Sequence, residues 1–512
     1  MRRLAVVASL LAMVAQPVLA LELTPRGVFR HGSFARSASE ITAYDPATRR
    51  LFVVNGEAQA IDVLDITDID APKKVRSFSL AAYGGAPNSV AVKDGVVAAA
   101  LDGKDKQGPG HVVFFNAGDL AMRGQVEVGA MPDMVTFTPD GRYVLAANEG
   151  EPDPNDISRD PEGAVAVIDV SKGFDKATAR LADFRAFNGK AIAGTKPGRP
   201  GASFAQAAEP EYIAVSPDGK TAYVTLQEVN ALAFVDIASA TITGVKGLGF
   251  KSYETCPADL SDKDGGTNIK THPHVFGMYQ PDAIALFRSK TGKTFLVTAN
   301  EGDAQGWKAF NEEVRVKDQK LDPTAFPPGS EADAALGRPK TSSTTLPMAD
   351  TDGDGDLDVI YSSGARSMAV WSAEGDLVGD SCDQLEQAAA RRGPAAFNLG
   401  HDEPGADSRS DDKGPEPEGV AIGELGGRPY AFIGLERDGG VAVFDLSDPA
   451  KPAMVAYAAT RNVALDPSDP ASGDQGPEGV LFIPADKSPS GKPLLVVSYE
   501  VSGTTRIWEI GQ

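Results

Sequence analysis

Five aspartates at alternate positions, Asp350, Asp352, Asp354, Asp356 and Asp358, carry the sharpest chemical signal in this sequence. With Gly355 sixth and Leu357 eighth, the run matches the first nine positions of a calcium-binding loop. Carboxylates on a tight, glycine-hinged turn present hard oxygen ligands, which suit Ca2+. The twelfth position is Tyr361 rather than glutamate, and the flanks read as loop and strand. The pattern predicts a calcium loop on a β scaffold, not an EF-hand. The plain alternative is a solvated acidic turn.

A second constellation mixes signs. Asp402 and Glu403 precede Asp407, Arg409, Asp411, Asp412, Lys413, Glu416 and Glu418, with Arg437 a short way downstream. Carboxylates beside guanidinium and ammonium groups can hold a metal and a bound anion together, or can form a salt-bridged loop. His272 and His274, two of five histidines, are a weaker metal hint, because no matched further ligand accompanies them. No Gly-x-Ser-x-Gly elbow, P-loop or HExxH motif occurs, so no catalytic nucleophile is assigned.

The elements that position these groups repeat. Met134–Ala147 and Tyr212–Thr225 each read strand, Pro-Asp-Gly turn, strand. Each is followed by an apolar strand ending in a Val-Asp-Ile-like triplet, at 164–170 and 232–237, and a degenerate copy occupies 41–66. Alternating β-branched and aromatic residues between turn signals predict antiparallel strands, and a repeat of this size is the unit of a propeller blade. First strands begin near Glu40, Asn88, Asp133, Glu211, Asp282, Glu418 and Glu478, which predicts an all-β, seven-bladed β-propeller. The stretch Leu21–Arg30 is expected to supply the outer strand of the last blade and close the ring. Residues 188–208, 303–356 and 400–415 read as inserted loops.

Aligned starts reveal two sets of acids. Asp133, Glu211, Asp282, Glu418 and Glu478 follow proline at the opening of a first strand, with Glu40 and Asn88 as variants. Asp102, Glu149, Glu228, Glu301, Glu436 and Glu500 close second strands, as Glu57 does nearly. In an antiparallel hairpin the start of one strand lies beside the end of the next, so both sets are expected at one mouth of the central channel. Such crowding raises pKa values unless cations or hydrogen bonds relieve it. Pro-Asp/Glu as a simple turn device is the structural alternative. The long insertions fall at the same end, as loops carrying a site on a rigid scaffold do.

Composition sets limits. The formal charge of −22 disfavours nucleic acid and anionic membranes, and favours divalent cations. Arg2 and Arg3, an apolar run from Leu4 to Ala15 and Val18-Leu19-Ala20 read as a signal peptide over residues 1–20. The mature part, 21–512, is then one soluble propeller, secreted or periplasmic, with a calcium-loop-bearing insertion at about 303–360. Cys256 and Cys382 can form one disulfide in such a compartment, and their pairing is open at this level.

The run Asp407–Gly419, the strand Ile433–Arg437, the aspartate loop, Tyr279–Ile284, Thr298–Asp303 and Glu500–Thr504 together resemble the choice-of-anchor I proteins. The similarity extends from about Ser39 to Ile510. It implies an exported protein, often surface-anchored, in a family that includes mesenchyme-specific cell surface glycoproteins linked with calcium biomineralisation and bacterial members labelled alkaline phosphatase. It also implies that the aspartate loop and the 407–418 run matter. Two functions follow as expectations. The first is a calcium-binding module for a surface ligand. The second is a calcium-dependent phosphomonoesterase acting on phosphorylated small molecules, in which bound metals reverse the local charge and activate water.

Overall fold

The structure, a computed structural model, describes residues 21–401 and 405–511. The expected signal peptide, and Asp402 and Glu403, lie outside the described residues. Among the described residues there are seven four-stranded sheets and one five-stranded sheet. Each of six four-stranded sheets is an antiparallel meander or close to one, as in Pro132–Phe137, Tyr143–Asn148, Ala164–Asp169 and Thr178–Asp183. The Pro-Asp-Gly turns work as expected: Gly141, at φ +69°, donates its N–H to the Thr138 carbonyl at 2.9 Å.

The first strands form a closed ring. Thr42–Asp45 packs against Pro87–Lys93, then follow Pro132–Phe137, Pro210–Val215, Ile284–Arg288, Pro417–Leu425 and Pro477–Ile483, which returns to Thr42–Asp45. The last sheet is completed by Glu22–Arg30, antiparallel to Thr504–Gly511. The two ends of the described residues thus share one sheet, and among the described residues the ring has no unpaired seam. Burial grades outward along each sheet. All six residues of Val96–Leu101 and of Leu494–Tyr499 are buried, because neighbouring sheets cover both faces. The outer strand Lys73–Ser79 is almost wholly exposed. This radial ring of twisted sheets is a β-propeller.

The inserted segments are more ordered than the sequence suggests. Phe250–Ser252, Val275–Met278, Ile360–Ser362, Lys340–Ser342 and Glu313–Arg315 form the five-stranded sheet, in that spatial order. Val275–Met278 and Ile360–Ser362 pair in parallel. Tyr253, Leu260, Val316, Phe326 and Ile360 give this unit its own apolar core. All five of its strands are three or four residues long, too short for a period-2 signal, which is why 303–356 reads as loop. Cys256 and Cys382 are paired, with Cα atoms 5.1 Å apart, tying the unit to the segment after Leu377–Asp380.

Candidate functional site

A repeated backbone device aims the first set of acids. Pairing slips between Pro132 and Val135, Pro210 and Ile213, Pro417 and Val420, and Pro477 and Val480, so Asp133, Glu211, Glu418 and Glu478 each sit in a bulge. Bulges re-aim side chains and recur next to functional sites. The residue before each of these prolines is left-handed: Met131 at φ +48°, Glu209 at +36°, Glu416 at +51° and Gly476 at +68°. For non-glycine residues this conformation costs about 1–3 kcal/mol.

The acids converge. Glu40, Asp133, Asp282, Glu478 and Glu500, with Asn88 and Tyr212, line a cavity of ≈ 180 Å³ inside the ring of first strands. Burial, then the charges of Glu500 and Asp133, push Glu40 up to about 8. Burial, then Asp102 and Glu151, push Asp133 up to about 7. Glu149, Glu211, Asp282, Glu418, Glu436 and Glu478 are pushed well up by burial first and neighbouring carboxylates second. Glu301 and Glu500 shift the same way, again through burial, with Lys413 opposing at Glu301 and Arg437 at Glu500. Carboxylate oxygens of Glu149 and Glu211 lie within 4.8 Å of each other and of one on Asp133. Glu57 stands apart, exposed and accepting from the Ser33 N–H at 2.8 Å.

The mixed-sign run is engaged internally. Arg409 bonds Glu416 and Asp412, Arg437 bonds Glu416 and Glu436, and Lys413 bonds Glu301 and Glu416. Burial opposes the charge on Glu416, yet Lys413, Arg409 and Arg437 hold it well below the usual carboxylate range. Asp411 receives Arg315 at 2.6 Å and Arg338 at 2.7 Å, while Asp412 receives Lys340 at 3.0 Å. Asp407 accepts from Ser410 Oγ at 2.6 Å. The residues read as anion contacts, Arg409, Lys413 and Arg437, therefore face carboxylates instead; the run docks its loop onto the five-stranded sheet. Arg366 donates to the carbonyls of Ser410 and Asp412, both at 2.7 Å, and anchors the loop from below.

The aspartate loop divides. Asp350, Asp352 and Asp358 each place an oxygen within 4.8 Å of the others. Asp350 accepts from the N–H groups of Gly353, Asp354 and Gly355, so the turn wraps its carboxylate. Asp354 and Asp356 do not join this group. Buried Leu357 bridges to Leu321, which turns Asp356 to Lys320 Nζ at 2.8 Å, and Asp354 accepts from the Asp356 N–H. His272 bonds the Ala258 carbonyl at 3.0 Å, its pKa lowered to about 4 by burial, and His274 packs on Phe326. Both are packing residues.

Sequence reasoning missed Glu151, Glu209 and Asp303, whose charges act on the mouth carboxylates. Glu209 directly precedes Pro210, and its place before a Pro-Glu pair is the one signal that points to it.

The ring of sheets defines an all-β propeller with a carboxylate-lined cavity. The chain belongs to the choice-of-anchor I domain family, which matches residues 40–449. It is 27% identical to the mesenchyme-specific cell surface glycoprotein of Strongylocentrotus purpuratus over 278 residues, 48% of this chain and 36% of that protein. Over 195 residues, 36% of this chain and 67% of the relative, it is 28% identical to gigasin-3a of Magallana gigas. The matched stretch thus spans little more than a third of the glycoprotein's length. Hydrazine synthase of Kuenenia stuttgartiensis aligns with TM-score 0.48 and 14% identity, over 94% of this chain and 97% of that one. The β-propeller domain of Cps50 (Swd1) from Myceliophteria thermophila aligns with TM-score 0.46 and 10% identity, over 95% and 99%. No helix among the described residues is long and apolar enough to cross a membrane.

Proposed function

We propose that this chain is an exported, calcium-binding β-propeller that acts as a binding or surface module through one acidic, loop-rich face. In this reading the seven four-stranded sheets are its seven blades, and the five-stranded sheet is an insertion carrying the aspartate loop. The observation that carries the calcium assignment is the grouping of Asp350, Asp352 and Asp358 within 4.8 Å on a turn hinged by Gly353 and Gly355. The signal-peptide-like start supports export, and the name of the mesenchyme-specific relative supports a surface role.

Loops from different sheets interlock at this face. Lys196 bonds Glu312, Gln305 bonds Glu209, and the Ala309 N–H donates to Pro154. A module of this kind presents a rigid, metal-ordered surface to its ligand. Arg409, Lys413 and Arg437 are engaged by carboxylates rather than free to receive a phosphate, which favours binding over phosphomonoesterase chemistry.

The test is calorimetric calcium titration of chelator-treated protein and of the Asp350→Asn/Asp352→Asn variant, with an aryl phosphate assay on the same samples. Calcium binding that the variant weakens, without turnover, is the expected result. Absence of calcium binding removes the assignment, and calcium-dependent turnover replaces the module with an enzyme.

A further inference from the structure

We propose that Asp133, Glu149 and Glu211 form a second site for a hard divalent cation, at the channel mouth, with the buried carboxylates of Glu209 and Glu228 nearby. This rests on the reading of the face as a divalent-cation module and adds a site separate from the aspartate loop. Asp133 and Glu211 come from bulges of neighbouring sheets, and Glu149 follows the strand Tyr143–Asn148. Each offers an oxygen within 4.8 Å of the others. Oxygens bound at about 2.4 Å to a common calcium ion lie at most about 4.8 Å apart.

Two further carboxylates point to a ligand there. Glu209 is 2% and Glu228 5% exposed, and the Oε2 atom of each is buried without a hydrogen-bond partner. Both are close enough to the group for charge to be felt: Glu228 raises Glu149 and Glu211, and Glu149 raises Glu209. Buried polar atoms are paired as a rule, and carboxylates above all. A cation held by the neighbouring group would offset the negative charge of both.

The molecule contains its own comparison. Glu301, Glu416 and Glu436 form a like group at the same 4.8 Å spacing elsewhere on the ring. There the cation is built in: Lys413 Nζ lies 3.2 Å from Glu416, and Arg437 Nε lies 3.0 Å from Glu416 and 3.3 Å from Glu436. The Asp133 group has no such partner among the described residues. Lys106, which acts on Asp133, bonds Asp102 and is 62% exposed. Lys196, which acts on Glu228, is engaged by Glu312 at 2.7 Å and by the Glu228 carbonyl at 3.0 Å. Glu151 and Asp303 add only further negative charge. Arg199, which acts on Glu209, is engaged by Asp160. Three clustered carboxylates with no bonded base call for an external cation, and hard oxygen ligands select calcium or a close relative.

The test compares wild type, Glu149→Gln/Glu211→Gln and Asp350→Asn/Asp352→Asn by calcium titration and by metal content after dialysis. The glutamine variant is expected to lose one equivalent, or at least tenfold in affinity at one site, and to keep the loop site. In chelator it is expected to unfold no earlier than wild type, since two mutually repelling acids are gone. Its calcium-induced rise in melting temperature is expected to shrink. Single Glu149→Gln serves if the double variant does not fold. Unchanged stoichiometry and affinity in a folded glutamine variant overturns this site and leaves the loop reading intact. A wild type that binds no divalent cation overturns both.

Discussion

The backbone N–H of Glu436 donates to the carbonyl of Glu416 at 2.9 Å, across the hairpin whose strands they flank. The same link joins Glu149 to Met131 at 3.0 Å, Glu500 to Gly476 at 2.7 Å and Asp102 to Ala86 at 2.9 Å. In each case the residue before a proline accepts from the acid that ends the neighbouring strand. The two sets of carboxylates are thereby held in register by main chain alone. Their closeness is built into the fold and persists whatever their charge, so they must share protons or cations.

Stability of the metal-free protein is expected to fall as pH rises. Burial and neighbouring carboxylates lift Glu40 to about 8 and Asp133 to about 7, so the folded form binds more protons than the unfolded form. Their stabilising protonation is complete below about pH 4 and lost by about pH 8. Urea denaturation in chelator across this range checks the slope, against the opposing background of paired carboxylates such as Glu416. Calcium is expected to flatten it, and calorimetry at pH 7 in buffers of different ionisation enthalpy should register proton release.

Lys413→Met is expected to destabilise strongly in chelator. It removes the ammonium between Glu301 and Glu416, and breaking a buried pair from one side costs about 3–5 kcal/mol. Because the carboxylates left behind resemble the Asp133 group, calcium should restore part of the loss. Thermal melts of variant and wild type, with and without calcium, read both effects.

Arg366→Leu is expected to cost a similar amount. Arg366 and Glu386 form an ion pair with both side chains only 2% exposed, and the guanidinium also holds the Ser410 and Asp412 carbonyls. Loss of about 3–5 kcal/mol in urea midpoint analysis, together with faster proteolysis within 405–414, is the expected result.

Replacing Cys256 and Cys382 together by alanine is expected to lower stability by about 2–5 kcal/mol, the usual range for a native bridge. The bridge spans 126 residues and fastens the five-stranded sheet to the ring. Early cleavage by a protease inside 250–280 would show that the insertion loosens first.

Much of the scaffold was legible in the chain. Period-2 apolar patterns, Pro-Asp-Gly turns and the proline–acid openings are local signals, so they placed the first strands and the closing strand Glu22–Arg30. Tertiary structure alone decided who meets whom. Lys413 reaches Glu301 across 112 residues, Gln305 reaches Glu209 across 96, and Asp411 finds Arg315 across 96. Local pattern carries no information about such distances, which is why the 407–418 run read equally as a metal-and-anion site or a salt-bridged loop, and only the structure shows its bases paired with carboxylates. The aspartate loop shows the same division. Its composition promised five ligands, but Leu357 is drawn into the pairing with Leu321, and that contact sends Asp356 to Lys320 and leaves three aspartates together. Residue types set what chemistry is available on this face; the closing of the ring and the packing of its insertions set which carboxylates keep a basic partner and which do not.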